Sequence, residues 1–279
     1  MIFNNFNFLP IPKYCQTCGV DKEDIVNDDD NCHYAFCSTN CFNIASITHY
    51  GGAIIALQFF QGEPCLILIK DKSRKNYISE LPGGRKKSKE GSGKTCARET
   101  TEEFGLKNPI SYTYLENKGV RLVSWFKKIK NSINTKQNFI NIATMNNEIN
   151  TEDYYNYTIY VISIMNFDII QANLAVKSRL NDDNLQDEWK ETESIYLVPI
   201  RNLENFINKK NDEILDYKDD PIPPLSTKWT KLLYNPDTIR IMKEVIYSNI
   251  SPWNVKVKNS KLKDSFVWNH TDLNQNIFT

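Results

Sequence analysis

The chain has 279 residues with 34 basic and 34 acidic side chains, so its formal net charge is zero and no global basic surface points to nucleic acid. Hydrophobic residues make up 41% of it, enough for one packed catalytic domain plus a smaller element. No apolar run approaches the roughly 18 residues of a membrane-spanning helix, and no basic stretch followed by an apolar one opens the sequence, so a non-secreted, cytoplasmic protein without membrane contact is expected.

Five of the seven cysteines fall between Cys15 and Cys41. A secreted disulfide scaffold would spread them along the chain. Here Cys15-x2-Cys18 and Cys37-x3-Cys41 form two close pairs of thiolates, which at this spacing can close a tetrahedral structural zinc site. Cys32 and His33 are spare donors, and buried thiols or a redox pair are the other readings. The stretch Phe36-Cys37-Ser38-Thr39-Asn40-Cys41-Phe42 resembles the second half of small zinc fingers. Residues 1–45 therefore read as a zinc-binding module.

From residue 46 to about 207 the pattern is α/β. Ala53–Leu57 and Cys65–Ile69 are apolar runs joined by Gln61-Gly62-Glu63-Pro64, a hairpin signature. Tyr77–Leu81 is a short strand stopped by Pro82-Gly83-Gly84, and a helix follows that ends at Gly105, the favoured C-terminal cap. Further strands are predicted at Ser111–Leu115, Val120–Phe126, Thr158–Ile164 and Ile195–Val198, with a helix from about Leu203. Residues 127–156 are polar and rich in Asn, and read as an insertion between two strands. Residues 208–279 hold a proline break (Pro221, Pro223, Pro224), a helix capped by Asn235-Pro236-Asp237, and a polar tail.

Within the helix that follows Gly84, the carboxylates Glu99, Glu102 and Glu103 stand at spacing i, i+3, i+4. At roughly 100° per residue they share an arc of about 100°, while Cys96, Ala97, Thr100 and Phe104 lie on another arc and can face a core. Like charges on one stripe weaken a helix. A divalent cation is the natural compensation, and hard oxygen ligands suit magnesium or manganese, which also bridge phosphates.

The segment Gly84–Leu106 resembles the Nudix box, G-x5-E-x7-R-E-U-x-E-E-x-G-U with U apolar. Gly84, Glu90, Arg98, Glu99, Glu102, Glu103, Gly105 and Leu106 fill the fixed places, and Thr100 stands where an aliphatic residue is usual. The resemblance implies a Nudix fold, a mixed β-sheet sandwiched between α-helices. It also implies metal-dependent hydrolysis of a pyrophosphate linkage. On it, Glu99, Glu102 and Glu103 hold Mg2+ or Mn2+, Glu90 and Arg98 pair to brace the loop against the helix, and Gly84 permits a sharp strand-to-loop turn. Members of the family often take one more carboxylate, as ligand or general base, from a loop before the last strand. Glu188–Ile200 resembles that region, with Glu191 preferred and Glu193 or Glu188 as alternatives.

For the substrate, the Glu80-Leu81-Pro82-Gly83-Gly84 entry and the Ala-Arg-Glu-x-x-Glu-Glu core resemble viral mRNA-decapping Nudix enzymes, whose product would be 7-methylguanosine diphosphate. Arg85, Lys86 and Lys87 in the same loop are candidate RNA-phosphate contacts, and Trp125, Trp189, Tyr154 and Tyr155 are available to stack on a base. NADH pyrophosphatase-like enzymes, which also carry a four-cysteine finger and would take a dinucleotide, are the alternative. An inactive Nudix-fold binding module is a third reading.

Overall fold

The computed structural model describes residues 15–16, 39–47, 49–72, 78–105, 115, 119–127, 154–164 and 167–248. Among these, seven strands form one mixed sheet. Helix α1 (Thr39–Ile47) leads into β1 (His49–Phe60), which turns at Gln61-Gly62 into β2 (Glu63–Asp71). The short β3 (Ser79–Glu80) and β4 (Gly83–Arg85) precede α2 (Ser92–Phe104). Then come β5 (Val120–Lys127), β6 (Tyr154–Ser163), α3 (Ile169–Leu180), a 3-10 turn (Asp187–Lys190) and β7 (Thr192–Pro199). The helices α4 (Ile200–Ile207), α5 (Thr227–Leu233) and α6 (Pro236–Ser248) follow.

β1 is the organising strand. One edge runs parallel to β6, and the other is shared between β4 near its start and β2 near its end, both antiparallel. β2 likewise gives one edge to β7 and part of the other to β3, while β5 closes the far side of β6. A strand buried on both faces has no polar side to show, and Ala53 to Leu57 are all fully buried. Ile54 and Ala56 meet Cys96, Ala97 and Phe104 of α2 and Ile169, Ala172 and Val176 of α3. Ala53, Ile55 and Leu57 face the other way, toward Ile200, Leu203, Trp229, Leu233 and the 239–246 stretch of α6. The sheet is thus sandwiched between helices, as the sequence leads one to expect. The helices beyond residue 207 supply much of one covering layer.

Several elements differ from the sequence reading. Leu115, the residue of the predicted strand Ser111–Leu115 within the described set, is helical, and the Gly119 N–H donates to its carbonyl at 2.8 Å. α4 begins at Ile200, directly after β7, because Pro199 sets the turn without needing an N–H of its own. Helix α3 has no counterpart in the sequence reading. Its start is fixed by Asp168, whose carboxylate accepts from the N–H groups of Ile170 and Gln171 at 2.9 and 3.0 Å. The spacing of Ile169, Ala172 and Val176 on its buried side is the signal that marks it. α1 continues two residues past 45, and α6 starts as expected, with the Asn235 side chain accepting from the Asp237 N–H at 2.8 Å.

Candidate active site

Helix α2 carries the acidic stripe, and its inner face is anchored by Cys96, Ala97, Thr100 and Phe104, all buried. It ends where Gly105 turns into the left-handed region (φ 65°) and donates its N–H to the Glu102 carbonyl at 3.2 Å. A glycine is needed there for its backbone. The lack of a side chain at Gly84 matters for a different reason from the turn expected of it. Gly84 sits within β4, paired with Gly52, and a Cβ would lie 2.5 Å from the Glu99 carboxyl carbon. The small residue lets the carboxylate lie directly on the strand.

The residues of the box converge through Arg98. Its Nε and Nη2 donate to the two oxygens of Glu90 at 2.8 and 3.0 Å, a bidentate pair. Nη2 also donates to the Arg85 carbonyl at 2.9 Å. Nη1 reaches Glu99 at 2.8 Å and Glu102 at 3.0 Å. Glu90 further accepts from the Lys87 N–H and the Thr95 hydroxyl. These hydrogen bonds, Arg98 foremost, draw the Glu90 carboxyl down to about 2.

Glu103 is in a different environment. It is buried and accepts from the Gly83 N–H at 2.6 Å. Desolvation first, and then the charge of Glu99, push its carboxyl well above the usual range; Glu80 and Glu191 add to this. Desolvation raises Glu99 and Glu191 as well, opposed at Glu99 by Arg98. The charges of Asp71, Glu102 and Glu188 push Glu191 further in the same direction. The carboxylates of α2, the residue before β7 and the end of β2 therefore act on one another through their charges.

Of the three candidates, Glu191 feels the charge of Glu102 on the helix. Its carbonyl accepts from the Lys72 N–H at 2.6 Å, which ties it to the end of β2. Glu193 stands at the irregularity in β7 where Ser194 pairs with Lys70 and Thr192 with Asp71, and its carboxylate pairs with the Lys70 ammonium at 2.5 Å. Glu188 is exposed and stands 4.0 Å from Lys87, which is also 3.8 Å from Glu102.

Buried Glu80 and the arginine Arg179 are parts of the site that sequence reasoning did not single out. Glu80 lies in the entry stretch before the box, and its burial follows from its place in β3. Arg85, Lys86 and Lys87 are exposed on the loop leading from Gly84. The Arg85 guanidinium lies 5.4 Å from the centroid of Tyr50, which packs on Tyr155 at 4.6 Å. The Trp189 carbonyl, by contrast, is engaged by Arg179. The side chains of Trp125 and Tyr154 lie outside the described residues. So do Cys18 and Cys37 of the cysteine cluster, while Cys15 and Cys41 are buried.

Among the described residues, no three acidic, histidine or cysteine side chains are already gathered into a closed metal cage. Arg98 Nη1 lies between Glu99 and Glu102 instead. The donor set nevertheless fits a hard divalent cation. It offers carboxylate oxygens only, and Glu99 and Glu103 have carboxyls made hard to ionise by burial and mutual repulsion, a cost that a cation relieves.

No protein-family model matches the sequence, and no curated protein matches it. Among solved structures, the chain is similar to a Nudix hydrolase from M. smegmatis, RenU, at 11% identity and a TM-score of 0.35, over 74% of this chain and 91% of that one. It is similar to a C. elegans Ap4A hydrolase at 12% identity and a TM-score of 0.33, over 70% of this chain and 92% of that one. The NUDIX domain of Shewanella oneidensis NrtR, in complex with ADP ribose, gives 9% identity and 0.33, over 66% and 82%. At such identities the activity has to come from the site itself.

Proposed function

We propose that this chain is a Nudix hydrolase that cleaves the pyrophosphate linkage of a nucleoside-diphosphate-linked substrate. The observation that carries this reading is the gathering of Glu99, Glu102, Glu103 and Glu191 beside the bidentate Arg98–Glu90 pair. When bound, magnesium or manganese supplies charge neutralisation for phosphate oxygens and acidifies a water molecule. Glu99, Glu102 and Glu103 would hold it. Glu191, at the rim and with its proton affinity raised, would take the proton of the attacking water. Arg98 spans Glu90, Glu99 and Glu102, and so keeps the stripe in register with the loop. A substrate panel tests the reading: capped RNA, NADH, ADP-ribose and nucleoside triphosphates, each with Mg2+ or Mn2+. Metal-dependent release of a nucleotide product from one of them is expected. Absence of cleavage across the panel, or cleavage that persists with chelator, refutes it.

Within that class, capped RNA is the substrate we favour, with 7-methylguanosine diphosphate as product. The support is the exposed run Arg85-Lys86-Lys87 beside the carboxylates, where an RNA backbone leaving the site would meet positive charge. Lys86→Ala with Lys87→Ala should weaken binding of long capped RNA and flatten its salt dependence by about one phosphate contact per lysine engaged. Faster cleavage of NADH or ADP-ribose than of capped RNA at equal ionic strength would shift the substrate to a free dinucleotide. Cys15, Cys18, Cys37 and Cys41 are proposed as a structural zinc site, for which native protein should carry about one zinc per chain.

A further inference from the structure

Arg179 stands outside the Nudix box, on α3, yet it reaches into the catalytic helix. Its Nη1 donates to the Glu102 carbonyl at 2.7 Å and to the Trp189 carbonyl at 2.9 Å, and Nη2 lies 3.4 Å from the Glu103 carbonyl. One guanidinium nitrogen therefore joins the last turn of α2 to the 3-10 turn that delivers Glu191. The contact is close because Gly105 has no side chain. A Cβ there would lie 2.3 Å from the guanidinium carbon. Burial lowers the arginine to about 10, which still leaves it charged at neutral pH. Its positive charge sits on the negative end of the α2 dipole, where, among the described residues, the Glu102 carbonyl has otherwise only the 3.2 Å bond from the Gly105 N–H.

We infer that Arg179 is a positioning residue, a clamp that fixes the distance between the carboxylates of α2 and Glu191. It contacts backbone only on both sides, so it sets where the acids stand without taking part in the chemistry. The inference rests on the Nudix reading above for its catalytic consequence and on geometry alone for its effect on cation binding. A lysine at this position offers a single ammonium on a narrower stem and cannot reproduce the planar fork that spans these carbonyls.

The test is Mn2+ binding, followed by calorimetry or electron paramagnetic resonance, together with kcat and KM, in Arg179→Lys and Arg179→Gln. Replacing residues that orient metal ligands typically costs 10- to 100-fold. A loss of roughly that size is expected in Mn2+ affinity and in kcat, with KM changed little. In a Glu191→Gln background, Arg179→Lys should cost much less in kcat, because the distance it sets no longer matters. A folded Arg179→Lys and Arg179→Gln with Mn2+ affinity and kcat within about twofold of the parent would overturn the clamp and leave the hydrolase reading standing. If the arginine variants fail to fold, Gly105→Ala displaces the guanidinium by another route and carries the same expectation and the same overturning result. A parent that binds Mn2+ but cleaves nothing in the panel removes the hydrolase reading, and the affinity change still decides the clamp. A parent that binds no Mn2+ overturns both.

Discussion

Two carboxylates, one just before α2 and one in its last turn, are shifted in opposite directions. Glu90 meets a bidentate arginine and two further donors and ionises far more readily than an ordinary glutamate. Glu103 is buried, accepts one backbone N–H, feels the charge of other acids, and resists ionisation. The first is a finished ion pair, complete without any ligand, and its role is to hold the loop on the helix. The second is energetically unfinished, because its charge has been taken out of water without a full counter-charge. Around one helix, compensation marks structure and its lack marks the place where the proposed cation would complete the charge balance.

The sharpest break of that comparison is removal of charge on the unfinished side. Glu102→Gln and Glu103→Gln keep shape and hydrogen bonding, so both should fold, while kcat should fall by at least about 100-fold as metal charge and water activation are lost. Steady-state rates with Mn2+ measure this, and near-parent activity in both would show that the stripe holds no catalytic metal. On the finished side, Glu90→Gln should be milder in chemistry. It strips Arg98 of its main partner, and a 10- to 100-fold loss in kcat is expected with metal still bound. An equal loss of metal affinity in Glu90→Gln and Glu103→Gln would erase the distinction between the two.

The pH dependence of stability sharpens the same contrast. Glu103 has a folded pKa well above its ordinary value of 4.5. The stability it contributes is therefore complete below about pH 4.5 and is lost as pH rises toward the raised folded value. Glu90 works the other way: its contribution is complete above its ordinary 4.5 and is lost only as pH falls toward about 2. Buried His49, lowered from 6.5 to about 4, acts alike in the parent and in Glu103→Gln and drops out of their difference. As pH rises above about 4.5, metal-free parent should lose melting temperature relative to Glu103→Gln. Mn2+ should raise the parent's melting temperature by more at higher pH, since cation and proton compete for the same oxygens. Parallel melting curves for the two proteins across this window, with no Mn2+ effect, would contradict it.

The smallest effect concerns Thr100, at the apolar place of the box. It is fully buried, and its hydroxyl has no hydrogen-bond partner among the described residues. Thr100→Val keeps the shape and removes the stranded hydroxyl, and should stabilise the protein by about 1 kcal/mol in chemical denaturation without changing kcat. A destabilised variant would place a partner on that hydroxyl.

Local chemistry left clear marks in the sequence. Helical spacing placed Glu99, Glu102 and Glu103 on one stripe, Gly105 signalled the end of α2, and Asn235 with Pro236 signalled the start of α6. These depend on contacts within a turn or two of the chain, and residue type alone dictates them. Short apolar runs bounded by turn residues likewise exposed β1, β2, β5, β6 and β7. Helix α3 escaped because its apolar side is narrow and its start rests on one aspartate, Asp168. What only the tertiary structure decided is which distant groups meet. Glu193 stands against Lys70, and the Glu191 backbone is tied to Lys72, because β7 pairs with β2. Burial, and with it the resistance of Glu103 to ionisation, depends on α2 lying over β1 and β4. The bridge from Arg179 to Glu102 spans 77 positions along the chain and the one to Trp189 spans 10, and no local pattern encodes a guanidinium that donates only to backbone carbonyls. A carbonyl is the same at every residue, so a bond made to it leaves no mark on the residue that makes it.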